Sequence, residues 1–405
     1  MQCPLLNTLI RIRRNETEPY SKAVREVFLG GGPTGEDPSG TDQLLNCTEI
    51  REFVFESTSD VQGRWPPNLK EIVSSGTHQL IIILDAGETL SRPDQPYTGV
   101  EANVLRDASP SSSIVVSVFL NNKESLFQEV SATANLIRLG LQDLEERDLR
   151  LPFLKLYALH YALRLLTPAS DEGSGKGARL FFSHAKRDGV PITTAARDWM
   201  KRLKGFESFY DTEDLNLEGD IDDQLSKAVA EAVIIVFRTE IFDQRYWCQK
   251  EVLWAEQNNR PVTTVDARWQ LQHSPSLIIF DTTPAVRIPD GSFVRVFAAA
   301  LREAVRTELF KQRVEIHKLS LKQEKDAKVV SIPRCPSLIS LHQALGKLRG
   351  EIQADPRGSS ELPSAYLVYP NPSLPALLRT AATELAKNSV LGCDLLSLDE
   401  FRLKT

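Results

Sequence analysis

Cysteine and net positive charge are both scarce in this sequence. The 405 residues include only five cysteines, an odd number, and no two of them stand at CxxC spacing. This usage argues against a disulfide framework and against a zinc site, and it is typical of a protein kept in a reducing compartment. With 48 basic and 54 acidic side chains the net charge is -6, whereas nucleic-acid-binding domains are normally strongly basic. We therefore expect no metal site and no direct contact with nucleic acid.

Long hydrophobic runs are also missing. The longest, such as Leu80–Leu84 and Ile114–Leu120, are much shorter than the ~20 apolar residues needed to span a bilayer. The first residues, Met1–Leu5, lack the basic segment and apolar core of a secretory signal. The sequence therefore predicts a soluble, cytoplasmic protein that makes no contact with a membrane.

One stretch is typical of a linker. Thr167–Gly177 reads TPASDEGSGKG and is rich in glycine and serine between two apolar segments. The length of the chain suits two or three domains. We predict an N-terminal α/β domain with sensing or partner docking as its candidate role, then the linker, a central domain, a solvated and charged helical spacer, and a small C-terminal α/β region. Their boundaries are 1–166, 167–177, 178–310, 311–330 and 331–405.

Short apolar runs alternate with helical patterns on both sides of the linker. Such alternation predicts α/β folding with parallel strands. In the N-terminal domain the predicted strands are Glu26–Leu29, Arg51–Phe55, Leu80–Leu84 and Ile114–Leu120, and the predicted helices are Lys123–Leu149 and Pro152–Leu166. In the C-terminal region we predict strands at Ala365–Tyr369 and Asp394–Ser397 and a helix near Leu374–Leu385.

The central domain shows the same alternation more sharply. Strands are predicted at Arg179–Ser183, Ser208–Asp211, Val233–Phe237, Val262–Val265 and Leu277–Phe280. Helical patterns lie near 191–204, 220–232, 243–258 and 292–309. Right-handed βα crossovers then give a parallel sheet of about five strands with helices on both faces. Ligands of such sheets bind beyond the carboxyl ends of the strands.

One predicted helix places a carboxylate among apolar side chains. Trp247, Glu251 and Ala255 stand at i, i+4 and i+8, and Cys248 and Trp254 lie three residues on either side of Glu251. These five residues therefore share one face of the helix. A glutamate in that position is partly removed from water.

Burial of Glu251 needs an explanation, because carboxylates are rarely buried unless they are paired or take part in chemistry. The alternative is that Glu251 lies at the edge of the apolar stripe and its carboxylate reaches water. Glu256 falls on the surface side of the same helix, and Asp243 is the predicted N-cap. Cys248 has no basic neighbour in sequence and is interpreted as a packing residue.

Several short motifs follow one another in the central domain. A strand ends in a small polar residue and a basic loop (Arg179–Gly189, RLFFSHAKRDG), and a second strand ends in an acid (Phe209–Asp211). A loop then leads to Leu217–Gly219, and Tyr246–Glu251 (YWCQKE) begins the helix described above. In this order and spacing, 178–310 resembles a Toll/interleukin-1 receptor (TIR) domain of the bacterial type. The resemblance implies a flavodoxin-like fold for this part of the chain.

The resemblance also implies an activity. TIR domains of this kind cleave the nicotinamide–ribose bond of NAD+, which is a substrate and not a cofactor, and the glutamate of their W-C-x-x-E motif is catalytic. In this sequence that residue is Glu251. The physical argument agrees, because nicotinamide leaves as a neutral molecule and needs no general acid, unlike the leaving group of a glycosidase. A single desolvated carboxylate can stabilise the positive charge that develops on the sugar.

The resemblance assigns substrate-binding roles to residues at the end of the first strand and on the helix. Ser183, His184 and Lys186 stand where the family binds the nucleotide, and Lys186 with Arg187 could meet the pyrophosphate. The alternative for Lys186 and Arg187 is that each is an exposed charge that does not contact the substrate. For His184 we favour packing or ribose contact over acid–base chemistry. Trp247 stands where the family lines the nicotinamide pocket, with core packing as the alternative.

Two further candidates belong to the second strand and the loop after it. Asp211 ends the strand, and Gly219 closes the loop Thr212–Gly219, which resembles the mobile BB loop of TIR domains. That loop gates the pocket and contacts neighbouring TIR domains, so the resemblance implies self-association through it. Gly219 suits a position that requires a positive φ angle.

Three functions remain open from the sequence. The first is an NAD+ glycohydrolase activated by oligomerisation, an effector or signal producer in antiviral defence with a possible partner protein. The second is a TIR cyclase that makes a cyclic ADP-ribose signal. The third is a non-catalytic TIR adaptor, which has no need of a desolvated Glu251. An unrelated flavodoxin-like or nucleoside-transferase domain is disfavoured, because no glycine-rich phosphate loop follows the first strand.

Overall fold

The computed structural model describes the secondary-structure elements of the chain and the turns that join several of them. The described residues are 6–13, 18–29, 48–55, 78–85, 113–119, 136–141, 147–167, 178–203, 206–209, 220–268, 283, 285–288, 293–324, 327–354, 364–370, 376–389 and 392–404. Two compact units, Met1–Ser170 and Asp171–Thr405, divide the chain. Their boundary falls inside the segment predicted as a linker. Both units are α/β with parallel sheets.

The N-terminal unit contains one five-stranded sheet. Its strands are β1 (Leu6–Arg13), β2 (Thr48–Phe55), β3 (His78–Asp85), β4 (Ser113–Phe119) and β5 (Leu136–Gly140), and its helices are α1 (Glu18–Leu29) and α2 (Arg150–Leu166). The strand order is β2-β1-β3-β4-β5, and every neighbouring pair is parallel. Helices α1 and α2 pack on each other, and α2 also contacts β3 and β4.

Two predictions for this unit were wrong, and one strand was missed. Glu26–Leu29 is the end of α1 and not a strand, and the buried residues Ala23, Val24, Val27 and Phe28 recur there at helical spacing. Part of the predicted helix Lys123–Leu149 is strand β5. Strand β1 was not predicted at all. A short apolar run fits either a buried strand or one face of a helix, so periodicity could not decide between them.

The larger unit begins with a second five-stranded parallel sheet. Its strands are β6 (Arg179–His184), β7 (Glu207–Phe209), β8 (Val233–Arg238), β9 (Val262–Asp266) and β10 (Ala285–Arg287). Its helices are α3 (Val190–Met200), α4 (Ile221–Glu231), α5 (Tyr246–Gln257) and α6 (Phe293–Glu324). The order is β10-β9-β8-β6-β7. Counted along the chain from the other edge, the strands therefore run 2-1-3-4-5. The predicted strand Leu277–Phe280 lies outside the described residues.

Helices cover both faces of this sheet. Phe181 packs in a buried cluster with residues of α4 and α5, including Leu225, Val229 and Val252. Phe182, the next residue of β6, points to the other face, where its ring lies 6.1 Å from that of Phe297 on α6. Because side chains alternate along a strand, Ser183 shares the face of Phe181 and lies under α5.

A three-stranded parallel sheet completes the larger unit. It comprises β11 (Lys328–Ser331), β12 (Ala365–Tyr369) and β13 (Asp394–Ser397), in the order β11-β12-β13. The helices are α7 (Leu338–Gln353), α8 (Ala376–Lys387) and α9 (Leu398–Arg402). We call residues 327–404 the C-terminal subdomain. Strands β12 and β13 have the bounds that the sequence predicted.

The charged spacer predicted over 311–330 is not a separate solvated helix. Helix α6 continues without a break to Glu324. Its residues Phe310, Val314 and Leu321 are buried in a cluster with Leu398 and Phe401 of the C-terminal subdomain. Arg313 is buried as well, so the segment is part of a core. Within the described ranges, no helix is both long enough and apolar enough to cross a membrane.

Candidate functional site

Glu251 is buried between helix α5 and strand β6. Its side chain is only 6% exposed, as expected from the apolar stripe on the helix. The Ser183 hydroxyl, itself 1% exposed, donates a hydrogen bond of 2.5 Å to Glu251 Oε2. Ser183 is the second-last residue of β6. The pair therefore lies near the carboxyl edge of the sheet, where ligands of parallel α/β sheets bind.

The first turn of α5 is attached to the end of the same strand. Cys248 is 3% exposed, and its Sγ donates to the His184 carbonyl oxygen at 3.4 Å. This burial agrees with the interpretation of Cys248 as a packing residue. His184 is also buried, with Nδ1 at 3.3 Å from the Phe182 carbonyl oxygen. Sequence reasoning did not foresee that the Cys248 thiol fixes the start of α5 against β6.

Trp247 does not line the buried side of the helix in this structure. Its side chain is 43% exposed, and its ring meets that of Tyr246 edge-on at 5.6 Å. Lys250 Nζ lies 5.1 Å from the centroids of both Trp247 and Trp254. Trp247 does not pack in the buried cluster that includes its neighbour Cys248 and residues of β6 and α4. Shared helical spacing with Glu251 was therefore not enough to bury Trp247.

The loop after β6 is joined to the loop after β8. The Asp188 carboxylate accepts a hydrogen bond from the Thr239 hydroxyl at 2.8 Å and one from the Ile241 backbone N–H at 3.3 Å. Lys186 and Arg187, in the same loop as Asp188, are exposed. Strands β6 and β8 flank the position where the strand order reverses, which is the usual ligand site of doubly wound sheets. Asp188 and Thr239 were missed by the sequence analysis, because only the fold brings them together.

Ion pairs follow the ends of β8 and β9 at this edge. Arg238 at the end of β8 pairs with Asp243, with Nε 3.0 Å from Oδ2. Asp243 is therefore not the cap of α5 that the sequence predicted, and the N-cap is Arg245. At the end of β9, Arg268 pairs with Asp266 at 2.7 Å. The hydrogen bond from Arg268 lowers the pKa of Asp266 below its usual value.

Helix α4 begins with an internally satisfied N-terminus. Asp220 Oδ1 accepts from the backbone N–H groups of Asp222 at 2.9 Å and Asp223 at 3.4 Å. Asp222 also bonds Lys250 of α5, and this hydrogen bond raises the pKa of Lys250. The negative charges of these side chains already compensate the positive end of the helix dipole, so this N-terminus is a poor site for a phosphate. Asp211, Gly219 and the loop Thr212–Gly219 lie outside the described residues.

The prediction that Glu256 is a surface residue was wrong. Glu256 is fully buried, and its Oε2 lies 2.6 Å from Nη2 of Arg334 in the C-terminal subdomain. Burial raises the pKa of Glu256, and the Arg334 charge opposes that rise. No local pattern could identify this pair, because Arg334 is distant in sequence.

The chemistry available at this site is that of a single desolvated carboxylate. In the part of the chain that the structure describes, no group of three or more His, Cys, Asp or Glu side chains could hold a metal ion. Glu251 can stabilise a developing positive charge, because electrostatic interactions are stronger where water is excluded. The Ser183 hydroxyl holds this carboxylate by a hydrogen bond near the carboxyl edge of the sheet.

Comparison with known proteins adds little. No family model matches this chain, and no curated protein matches it. Among solved structures, that of tagatose-6-phosphate ketose/aldose isomerase from Escherichia coli is similar at 10% sequence identity with a TM-score of 0.20. The match covers 76% of this chain and 82% of that chain. At this TM-score the likeness carries no argument about fold or function.

Proposed function

We propose that the chain is a TIR-type NAD+ glycohydrolase with Glu251 as its catalytic residue. The observation that carries this proposal is the buried carboxylate of Glu251, which accepts a hydrogen bond from Ser183 at the carboxyl edge of a parallel sheet. The strand order 2-1-3-4-5 is the flavodoxin-like order, which is the order expected of a TIR domain. The W-C-x-x-E motif occupies Trp247–Glu251 on α5.

The proposed reaction cleaves the bond between nicotinamide and ribose. NAD+ and water give nicotinamide, ADP-ribose and one proton. As the bond breaks, its electron pair returns to the ring nitrogen, and positive charge develops on the ribose. Glu251 stabilises that charge, and a ribose hydroxyl donates a hydrogen bond to its carboxylate beside that of the Ser183 hydroxyl. No proton has to be delivered to the departing nicotinamide, so one carboxylate is sufficient.

The pyrophosphate is assigned to the loop after β6. Lys186 and Arg187 are exposed there, a short distance along the chain from Ser183. The N-terminus of α4 is excluded as an alternative, because Asp220 already satisfies its N–H groups. His184 is placed beside the ribose. These contacts would leave nicotinamide near the first turn of α5, where Trp247 is exposed.

Activity is expected to depend on assembly, with the loop Thr212–Gly219 contacting a neighbouring copy. In that setting the protein is a bacterial antiviral effector, and its N-terminal unit senses the trigger or docks a partner. A cyclase that joins the ribose to another atom of the same nucleotide would use the same carboxylate. A non-catalytic adaptor is the second candidate, but it leaves the burial of Glu251 without an explanation.

The decisive experiment is incubation of the purified chain with NAD+ and mass analysis of the products over a range of protein concentrations. Glu251→Gln keeps the shape of the side chain and removes its charge, so we expect a loss of about 10²–10³-fold in rate. The matched control is Glu315→Gln, the same change at an exposed position of α6, which should leave the rate unchanged.

Each outcome separates the candidates. Linear ADP-ribose supports hydrolysis, and a cyclic product supports the cyclase. Undiminished turnover by a folded Glu251→Gln protein would remove this residue from the mechanism. Absence of cleavage by the wild-type chain at every concentration, including after induced dimerisation through a fused tag, would leave the adaptor as the better explanation.

A further inference from the structure

Glu256 is the second buried carboxylate on α5, and its partner comes from another part of the larger unit. The side chains of Glu256 and Arg334 are 1% and 8% exposed, with 2.6 Å between their charged atoms. Arg334 Nη2 also donates to the Ala255 carbonyl oxygen at 3.2 Å. Arg334 lies in the turn between β11 and α7, and α7 itself packs on α5. The C-terminal subdomain therefore holds the helix that carries Glu251.

Glu251 and Glu256 make their contacts on opposite sides of α5. Five residues separate them along α5, which corresponds to a rise of about 7.5 Å and a rotation of about 140°. Glu251 faces Ser183 on β6, whereas Glu256 faces Arg334. Any displacement of the C-terminal subdomain that carries Arg334 with it must pull on α5 less than two turns from the proposed catalytic carboxylate.

Stability alone does not account for this pair. Two charges removed from water lose solvation that their mutual attraction repays only in part, and apolar side chains of similar volume are often at least as stabilising. Burial lowers the pKa of Arg334 and raises that of Glu256, so each charge is costly without the other. What a buried ion pair adds over an apolar contact is a defined partner, because an arrangement that separates the two charges leaves each of them buried and uncompensated.

We infer that Arg334 is a positioning residue for Glu251, through which the C-terminal subdomain sets the register of α5 against β6. This inference rests on the proposed function. It extends that function by assigning the C-terminal subdomain a role in the catalytic site. It also suggests a route of control, since a partner that moves this subdomain would move Glu251.

The test uses the full-length chain with both partners replaced, Glu256→Leu with Arg334→Met. Replacing Arg334 alone would leave a buried unpaired carboxylate and endanger folding, whereas the double change removes both charges. The Ala255 carbonyl keeps its hydrogen bond from the Arg260 N–H at 2.8 Å. Arg379→Met is the matched control, because it breaks the Arg379–Glu400 pair inside the C-terminal subdomain.

Cys248 provides a readout that does not depend on catalysis. Its buried thiol is hydrogen-bonded to the last residue of β6. The rate at which iodoacetamide alkylates Cys248, measured by mass spectrometry of the peptide, therefore reports how tightly α5 packs on β6. For the double variant we expect cooperative unfolding, and alkylation of Cys248 about tenfold faster, because local opening sets the rate of reaction at a buried group. We also expect kcat for NAD+ cleavage to fall ~10- to 100-fold with KM within about threefold, because misplacement of a reacting group affects the chemical step. Arg379→Met should behave as the wild type in both assays.

Other outcomes overturn the inference. A folded double variant with unchanged Cys248 protection would show that Arg334 does not position α5. Faster alkylation with unchanged kcat would show that α5 moves without consequence for Glu251. Loss of cooperative unfolding would show that the pair maintains the fold and not the register. If the wild-type chain does not cleave NAD+, the proposed function fails, and the alkylation rates alone decide whether Arg334 seats the helix.

Discussion

The hydrogen bond between Ser183 and Glu251 leads to a quantitative prediction about the candidate site. Both side chains are buried, and the hydroxyl donates to a carboxylate oxygen at 2.5 Å. Ser183→Ala removes this donor and adds no bulk. A buried hydrogen bond to a charged group contributes about 1.5–3 kcal/mol, against ~1 kcal/mol for a bond between neutral groups. We therefore expect Ser183→Ala to lower the free energy of unfolding of the larger unit by about 2 kcal/mol.

A double-mutant cycle isolates the contribution of the charge. Glu251→Gln keeps an oxygen that accepts from Ser183 but is neutral, so Ser183→Ala should cost only ~1 kcal/mol in that background. The difference of about 1 kcal/mol is the coupling between the hydroxyl and the charge, measured by denaturant unfolding of the four proteins. Thr193→Val is the matched control. The Thr193 hydroxyl makes a buried hydrogen bond to the Gly189 carbonyl oxygen, and its removal should cost the same with either residue at 251.

The refuting result is a Ser183→Ala cost that is equal in both backgrounds. It would mean that Glu251 is not held as a charged acceptor, and the electrostatic argument for its role would fail. If Ser183 also orients Glu251 during NAD+ cleavage, Ser183→Ala should reduce kcat by about tenfold and leave KM nearly unchanged, because the interaction is needed in the chemical step.

Two further predictions concern stability. Burial, with a smaller contribution from Arg164, lowers the pKa of His160 on α2 to about 3 from 6.5. Below pH 6.5 the unfolded chain therefore binds a proton at His160 that the folded chain does not bind. The free energy of unfolding of the N-terminal unit should fall by about 2 kcal/mol from pH 8 to pH 5. His160→Gln, compared with the wild type by calorimetry at both pH values, should remove this decrease in the free energy of unfolding. A variant with the same pH dependence as the wild type would contradict the prediction. A Cβ at Gly189 would lie 2.9 Å from the Ala185 carbonyl oxygen, so Gly189→Ala should destabilise the larger unit by ~1–3 kcal/mol. Gly346→Ala in α7, where an added Cβ would meet nothing within 4 Å beyond the helix's own backbone, should instead stabilise the larger unit by ~0.5–1 kcal/mol. Equal effects of the two changes on the thermal midpoint would refute the argument.

Local sequence patterns predicted the bounds and the buried face of an element correctly where residues close in sequence determine them. The strands at Ala365–Tyr369 and Asp394–Ser397 have the predicted bounds, since each apolar run is short and limited by turn residues. Burial of Glu251 followed from its spacing to Ala255 and Cys248 on one helix. The helix ending in Glu26–Leu29 was assigned as a strand, because four apolar-rich residues fit both periodicities.

What the sequence by itself determined is most of the strands and helices around Glu251 and the side of α5 on which Glu251 lies, because periodicity acts over a few residues. It did not predict β10, β11 or α7. The tertiary structure alone decided which polar groups meet. Ser183 comes to Glu251, Asp188 to Thr239, and Arg334 to Glu256, in each case across strands or helices far apart in the chain. Glu256 shows the limit most clearly. Its neighbours in sequence predict an exposed charge, but a buried position with a charged partner is equally permitted by the local pattern. Only the packing of the C-terminal subdomain against α5 supplies that partner.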